Sequence, residues 1–154
     1  MANIKTIVVQ LSTSADAGSG TNDHVYLGLV GRLGGAEFPL AVDNFNDFKE
    51  DDTVNYVLGE DPGFILDPKF PDFTRPGQEK DPKRFGIELL PPNGVERVYL
   101  RKQGDLTHDG DNEWQMSAAF VRMIDDNNMQ RFSSHLGNVW LGNQFGLQLW
   151  LNGP

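Results

Sequence analysis

Short apolar runs that alternate with polar residues recur along the whole chain, each closed by Gly, Asn, Asp or Pro. Period two is clearest in Val25-Tyr26-Leu27-Gly28-Leu29 and in Phe145-Gly146-Leu147-Gln148-Leu149-Trp150-Leu151, the pattern of a strand with one buried face. Strands are predicted at 4–11, 24–30, 37–42, 53–58, 84–90, 95–101, 113–123, 129–133 and 145–151. Val, Ile, Tyr, Phe and Trp dominate them, as suits a pleated, half-buried surface. No window holds an apolar i, i+3, i+4, i+7 stripe long enough for a helix. Many short strands separated by turn signals predict an all-β antiparallel sandwich, one domain over residues 1–154.

One stretch breaks the pattern. Residues 60–94 hold seven of the nine prolines and the phenylalanines Phe64, Phe70, Phe73 and Phe85. Proline lacks the N–H that a central strand donates, so a long irregular connection is expected here. Connections of that length are usually functional or disordered, and phenylalanines need something to bury against. The segment reads either as a loop packed over one open face of the sandwich or as a binding loop that presents Phe64, Phe70 and Phe73 to a membrane or partner.

At 154 residues a self-sufficient core is possible, and the chain has no cysteine. Disulfides, thiol nucleophiles and thiolate zinc sites are thereby excluded. Acids outnumber Lys plus Arg by 22 to 13, a formal charge of −9. Nucleic-acid binding, which rests on cations against phosphates, is not expected. Neither is unaided docking on an anionic membrane. The opening MANIKTIVVQLS has too short an apolar run for a signal peptide, and no run approaches the roughly 18 residues of a membrane span. A secreted and a cytoplasmic location both stay open.

The acids are not evenly spread. They gather at predicted strand ends: Asp16 to Asp23 in a Gly-rich turn, Asp43 to Asp47 with Glu50, Asp51 and Asp52, and Asp105, Asp109 and Asp111 before Glu113. Calcium takes six to eight oxygens from carboxylates, amides and backbone carbonyls, and Asp, Asn, Thr and Gly supply these in tight turns. Asp and Asn also form turns for purely local reasons, so composition alone leaves calcium loops and ordinary turns equally open. The EF-hand spacing is not matched.

Leu11-Ser12-Thr13-Ser14 followed by Gly20-Thr21-Asn22-Asp23-His24-Val25-Tyr26-Leu27-Gly28-Leu29 resembles the opening of a PLAT (lipoxygenase-homology) domain. Three further elements in the right order extend the likeness over nearly the whole chain: Asp43-Asn44 with Asn46-Asp47-Phe48, Val98-Tyr99-Leu100-Arg101-Lys102, and Asn138-Val139-Trp140-Leu141-Gly142-Asn143. They are most similar to the branch found at the C-terminus of clostridial phospholipase C toxins. The resemblance implies an eight-stranded antiparallel β-sandwich whose loops at one end bind calcium and help dock lipids or protein partners. It also implies a role as one component of a secreted toxin.

Carried over by position, the implied calcium ligands come from Asp16, Gly20, Thr21, Asn22 and Asp23 in the first loop, and from Asp43, Asn44, Asn46 and Asp47 in the second. The third loop offers Asp109 or Asp111. The chain departs from the family at several points. Gly18 stands where the family has an acid, with Asp16 two residues earlier, and Asn22 replaces a common Asp. His24 and Thr107-His108 replace aromatic residues at the membrane-facing positions, so His24 and His108 become the implied contacts there.

Catalysis is not expected. There is no G-x-S-x-G elbow, no H-E-x-x-H and no Walker loop, and His24, His108 and His135 lack zincin spacing. Trp114 and Trp140 are expected in the core, while Trp150 can face either side of its strand. A carbohydrate-binding sandwich with structural calcium is the rival reading, since exposed aromatics on such a fold often stack on sugars.

Overall fold

The computed structural model describes residues 2–21, 24–40, 48–60, 73–74 (backbone alone), 81–103, 113–142 and 145–153. Its strands are β1 (Ile4–Thr13), β2 (Val25–Gly31), β3 (Gly34–Pro39), β4 (Thr53–Gly59), β5 (Phe73–Thr74), β6 (Val95–Lys102), β7 (Trp114–Asp125), β8 (Gln130–Leu141) and β9 (Gln148–Trp150). They form two sheets, ordered β5-β4-β1-β7-β8 and β3-β2-β6-β9. Every pairing is antiparallel except that of the two-residue β5 beside β4. Apart from β5, this is the predicted eight-stranded antiparallel sandwich.

Alternation builds the core. Val25, Leu27 and Leu29 of β2, and Val98 and Leu100 of β6, point inward against Ile7, Val9 and Leu11 of β1 and Ala119, Val121 and Met123 of β7, all buried. Outward positions of the central strands are buried too: Val8, Asn55 and Val57 are at most 6% exposed, so that part of the five-stranded sheet is not a solvent face.

Three elements differ from the sequence reading. The strand expected at 84–90 is a 3-10 turn, Pro82–Phe85, because the Asp81 side chain accepts from Lys83 N (3.0 Å) and Gly86 closes the turn at φ 61°. β8 runs on to Leu141 instead of ending at 133, carried by pairing with β7 through a register shift between Met116 and Ala118. β9 is shorter than expected, since Phe145 and Gly146 are spent in a turn in which Gly142 N donates to Gly146 O (2.9 Å).

The described part of the 60–94 connection packs on the sandwich. Leu89 is fully buried, Ile87 packs against the core, and Ile4 N donates to Ile87 O (2.8 Å). Arg131 on β8 clamps it, its Nη1 donating to Leu89 O (2.5 Å) and Val95 O (2.9 Å). Burial pushes the Arg131 guanidinium below its ordinary pKa. Phe85 lies edge-on to Phe38 at 5.2 Å, β5 places the Phe73 backbone beside β4, and Phe64 and Phe70 lie outside the described residues.

Near its end the chain crosses back to the five-stranded sheet. Beyond β9, Asn152 exchanges two backbone hydrogen bonds with Ser134 of β8 (3.0 and 2.8 Å). Residues 127–154, which include β8 and β9, contain no Asp or Glu.

Candidate functional site: the acidic loop end

Strand register decides where the acidic connections emerge. Ser12 pairs with Thr53, Thr13 with Met116, Val25 with Lys102, and Tyr26 with Pro39. Trp114 pairs with Leu141, and Arg101 with Gln148. The chain therefore leaves and re-enters both sheets at one end of the sandwich through 14–24, 40–52, 103–113 and 142–147. The opposite end carries the β2–β3 turn, the β7–β8 turn and the Pro82–Phe85 turn. Eleven of the 22 acids lie in 14–24, 41–52 and 103–113, against a single Lys or Arg, Lys49.

The first two acidic connections brace one another. Thr21 N donates to Phe48 O (3.0 Å), Asp51 N to Ser14 O (3.0 Å) and Thr13 N to Asp52 O (2.9 Å). Gly18 N donates to the Glu50 carboxylate (2.7 Å). Gly20 sits so close to the second connection that a Cβ there would stand 3.0 Å from Phe48 O and 3.1 Å from Glu50 N. Phe48 (φ 58°) and Asp51 (φ 54°) adopt the left-handed conformation, which non-glycine residues hold only where their surroundings enforce it. The enforcement at Phe48 is its ring, which is 2% exposed and lies 5.3 Å from Trp114 and 6.0 Å from Tyr56.

Beneath these loops lies a floor of buried polar and aromatic groups. Trp114 is fully buried, its Nε1 donating to Thr13 Oγ1 (2.8 Å). In the amide orientation that satisfies its neighbours, the Gln115 side chain donates to Ser14 Oγ (2.9 Å) and Asp16 Oδ2 (2.8 Å) and accepts from Trp140 Nε1 (3.2 Å). Gln115 N donates to Ser19 O (2.9 Å). The start of the third connection is tied to β2, with Gln103 N donating to His24 O (2.8 Å) and His24 N to Gln103 Oε1 (3.4 Å).

Of the residues singled out from sequence, Asp16, Gly20, Thr21 and His24 are described. Asp16 is exposed, with one carboxylate oxygen on Gln115, Gly20 and Thr21 touch the second loop, and His24 is exposed at the start of β2. Asn22, Asp23, Asp43, Asn44, Asn46, Asp47, His108, Asp109 and Asp111 lie outside the described residues. Among the described residues no three His, Cys, Asp or Glu gather as a metal-binding group. Trp114 occupies the expected core position, whereas Trp140 is half-buried and stacked on Phe145 at 6.1 Å. Sequence reasoning placed Glu50 in the second acidic cluster but not its bond to Gly18, and it missed Gln115 and Lys102. Gln115 carries no signal in the pattern, but Lys102 continues the inward parity of Val98 and Leu100.

A second feature lies on the outer face of the four-stranded sheet. Tyr99 of β6 pairs with Gly28 on one side and Trp150 on the other, and its ring meets Trp150 edge-on at 5.2 Å. Arg97 lies over the Trp150 ring (4.2 Å) and Arg101 over Tyr26 (4.3 Å). Arg101 also grips Glu37 through Nε (2.5 Å) and Nη2 (3.2 Å), which raises its pKa further. Burial, with Glu37 alongside, raises the Tyr99 phenol.

No family model matches the sequence, and no curated protein is significantly similar to it. Solved structures do match in fold. The alpha toxin of Clostridium absonum superposes with a TM-score of 0.57 at 20% identity, over 98% of this chain and 32% of the toxin. The Clostridium perfringens alpha-toxin of avian strain SWCP gives 0.57 at 16%, over 99% and 30%. Coral 8R-lipoxygenase, described as calcium-activated through a C2-like domain, gives 0.54 at 14%, over 96% and 17%. This chain thus spans about a third of the toxins and about a sixth of the lipoxygenase. Among the described residues no helix is long and apolar enough to cross a membrane. Two sheets in this order, with their acidic connections at one end, give the chain the fold of a PLAT-like β-sandwich domain.

Proposed function

We propose that the chain is a non-catalytic recognition module whose acidic loop end takes up calcium and docks on a lipid surface or a partner protein. The observation that carries this reading is the convergence of three acid-rich connections on one end, the first two locked together by Thr21–Phe48 and Gly18–Glu50. The donor chemistry fits calcium, being all oxygen and rich in carboxylates, amides and exposed turn carbonyls. Asp16, Gly20, Thr21, Asn22 and Asp23 of the first loop, Asp43, Asn44, Asn46 and Asp47 of the second, and Asp109 or Asp111 of the third would hold it. Bound there, the ion would neutralise the loops and offer coordination to phosphate oxygens of a headgroup. The chain's own part is to hold these oxygens together on a rigid floor.

The fold match to a calcium-activated lipoxygenase and to two alpha toxins supports the reading, and a place in a secreted toxin system is proposed on the same ground. The matched stretch is a minor share of each of those chains, which agrees with a module that carries no catalysis of its own.

Titration calorimetry of chelator-treated protein with calcium is expected to show saturable heat. Melting should rise in step, since a ligand at 100 times its Kd adds about 2.7 kcal/mol to the native state. Absence of both overturns the calcium assignment. Co-sedimentation with phosphatidylserine-containing vesicles, with and without calcium, then separates lipid docking from a protein partner.

The aromatic outer face favours a second reading, saccharide binding, because Tyr26, Tyr99 and the 39%-exposed Trp150 stand among fixed hydrogen-bonding groups. Gly28→Ala tests it. The new Cβ would stand 2.0 Å from Tyr99 Cζ, so the ring must leave its place. A loss of about 1–3 kcal/mol is expected from the overpacking, with a changed Trp150 emission. If glycan-array binding is present and survives this substitution, the face is not the sugar site.

A further inference from the structure

The outer face of the five-stranded sheet changes character along its width. On β1 and β4, Val8 and Val57 are covered, but on β7 and β8 Phe120, Phe132 and Leu136 stand 42%, 55% and 72% exposed. Register makes these three one patch. Phe120 lies opposite Ser134, so Phe132 and Leu136, two residues to either side of Ser134, are both its diagonal neighbours, about 7–8 Å away in an antiparallel pair. Single apolar side chains on a surface need no explanation, whereas three adjoining ones on one face point to something that covers them.

The charge around the patch narrows what that is. Arg122 lies opposite Phe132, its guanidinium carbon 5.1 Å from the ring centroid. Gln10 and Ser134 flank Phe120, and Ala118 faces Leu136. Over the whole of β7 and β8 the one carboxylate is Asp125, 1% exposed. In a chain of net charge −9, this face is apolar, carries a cation and exposes no acid. It is the complement of an anionic lipid surface, where apolar side chains enter the acyl boundary and cations meet the headgroups. A protein partner fits less well. Stable protein interfaces engage roughly 20–30 residues a side, against three large side chains here. Asn152 already occupies the edge of β8 at Ser134, where an added strand would pair.

We propose that the outer face of β7 and β8 is a lipid-docking surface that works without calcium, seating Phe120, Phe132 and Leu136 in the headgroup–acyl boundary with Arg122 against anionic headgroups. It is separate from the loop end and does not rest on the calcium reading, because no metal takes part in the contact. The acids of the chain repel such a surface, but none is exposed on β7 or β8, and salt screens the others beyond about 8 Å. Apolar insertion is not screened.

Sedimentation of the intact chain with vesicles of phosphatidylcholine and phosphatidylserine, in chelator and at physiological salt, tests this. The parent is expected to co-sediment, and less so with phosphatidylcholine alone. Phe132→Ser and Leu136→Ser combined in one chain should lower the partition roughly tenfold or more, the least expected from withdrawing one large apolar side chain. Both side chains are more than half exposed, so this variant should melt with the parent. Leu33→Ser, whose leucine is 76% exposed on the β2–β3 turn, should bind as the parent does. No binding in chelator overturns the proposal, whatever calcium then does at the loops. Binding that survives the double substitution, or that falls equally in Leu33→Ser, overturns it as well. Light scattering over a range of concentrations supplies the remaining outcome: a parent that dimerises while the double variant stays monomeric assigns the face to a second copy and overturns lipid docking.

Discussion

Trp114→Ala will cost about 3–5 kcal/mol in denaturant unfolding, the range for emptying a large aromatic site in a core. The indole is fully buried, packs against Phe48 at 5.3 Å and donates to Thr13 Oγ1. Its removal leaves a cavity and an acceptor without its donor, and it withdraws the surface that keeps Phe48 left-handed at φ 58°. The damage should therefore reach the loop end, visible as faster amide exchange at Thr21, whose N–H donates to Phe48 O. Trp114→Phe keeps most of the volume and loses the hydrogen bond, for about 1–2 kcal/mol. A cost below about 1 kcal/mol for the alanine variant would contradict a core anchored on this ring.

Gly59→Ala is the second large effect, about 3 kcal/mol or more, and it arises from backbone alone. Gly59 holds φ 87° at the end of β4, and an added Cβ would stand 2.2 Å from Lys5 O and 3.0 Å from Pro82 Cδ. The left-handed conformation accounts for about 1–2 kcal/mol. The rest comes from displacing β1, because a carbonyl in a paired strand cannot rotate away as a side chain does. Gly86→Ala is the control, with φ 61° and nothing within 4 Å of its Cβ. It should lose only the conformational part. Equal losses in the two variants would remove the steric argument.

The sandwich was legible because its strands alternate: Val25, Leu27 and Leu29 inward, Tyr26 and Gly28 outward, with register set by the need to bury one face. Residues 84–90 also look half-alternating, yet Asp81 and Pro82 preorganise a turn and Gly86 closes it, so local capping overrode the pattern. The far half of β8, Ser134-His135-Leu136-Gly137-Asn138, has too little apolar content to read as a strand and is one only because β7 pairs with it. At the loop end the acids were visible, being a matter of composition. The Glu50 bond to Gly18 and the Gln115 bridge from Asp16 to Trp140 were not, since each joins residues far apart in sequence whose approach only the fold decides. Lys102 is the instructive miss, because its inward parity was already present in the Val98, Leu100, Lys102 series.

The acid-free run from residue 127 onward sets β8 and β9 apart from connections that hold half the acids of the chain. A formal charge of −9 is then less a shell than a dipole. Near an anionic surface such a molecule feels a torque that turns its loop end away and its neutral edge toward the surface, over distances of about a Debye length, 8 Å at physiological salt. On the proposed calcium reading, each ion taken up by the loops removes two of those charges and weakens that torque. On that reading uptake comes before contact, and calcium acts on the rate and orientation of encounter as much as on the lifetime of the docked state.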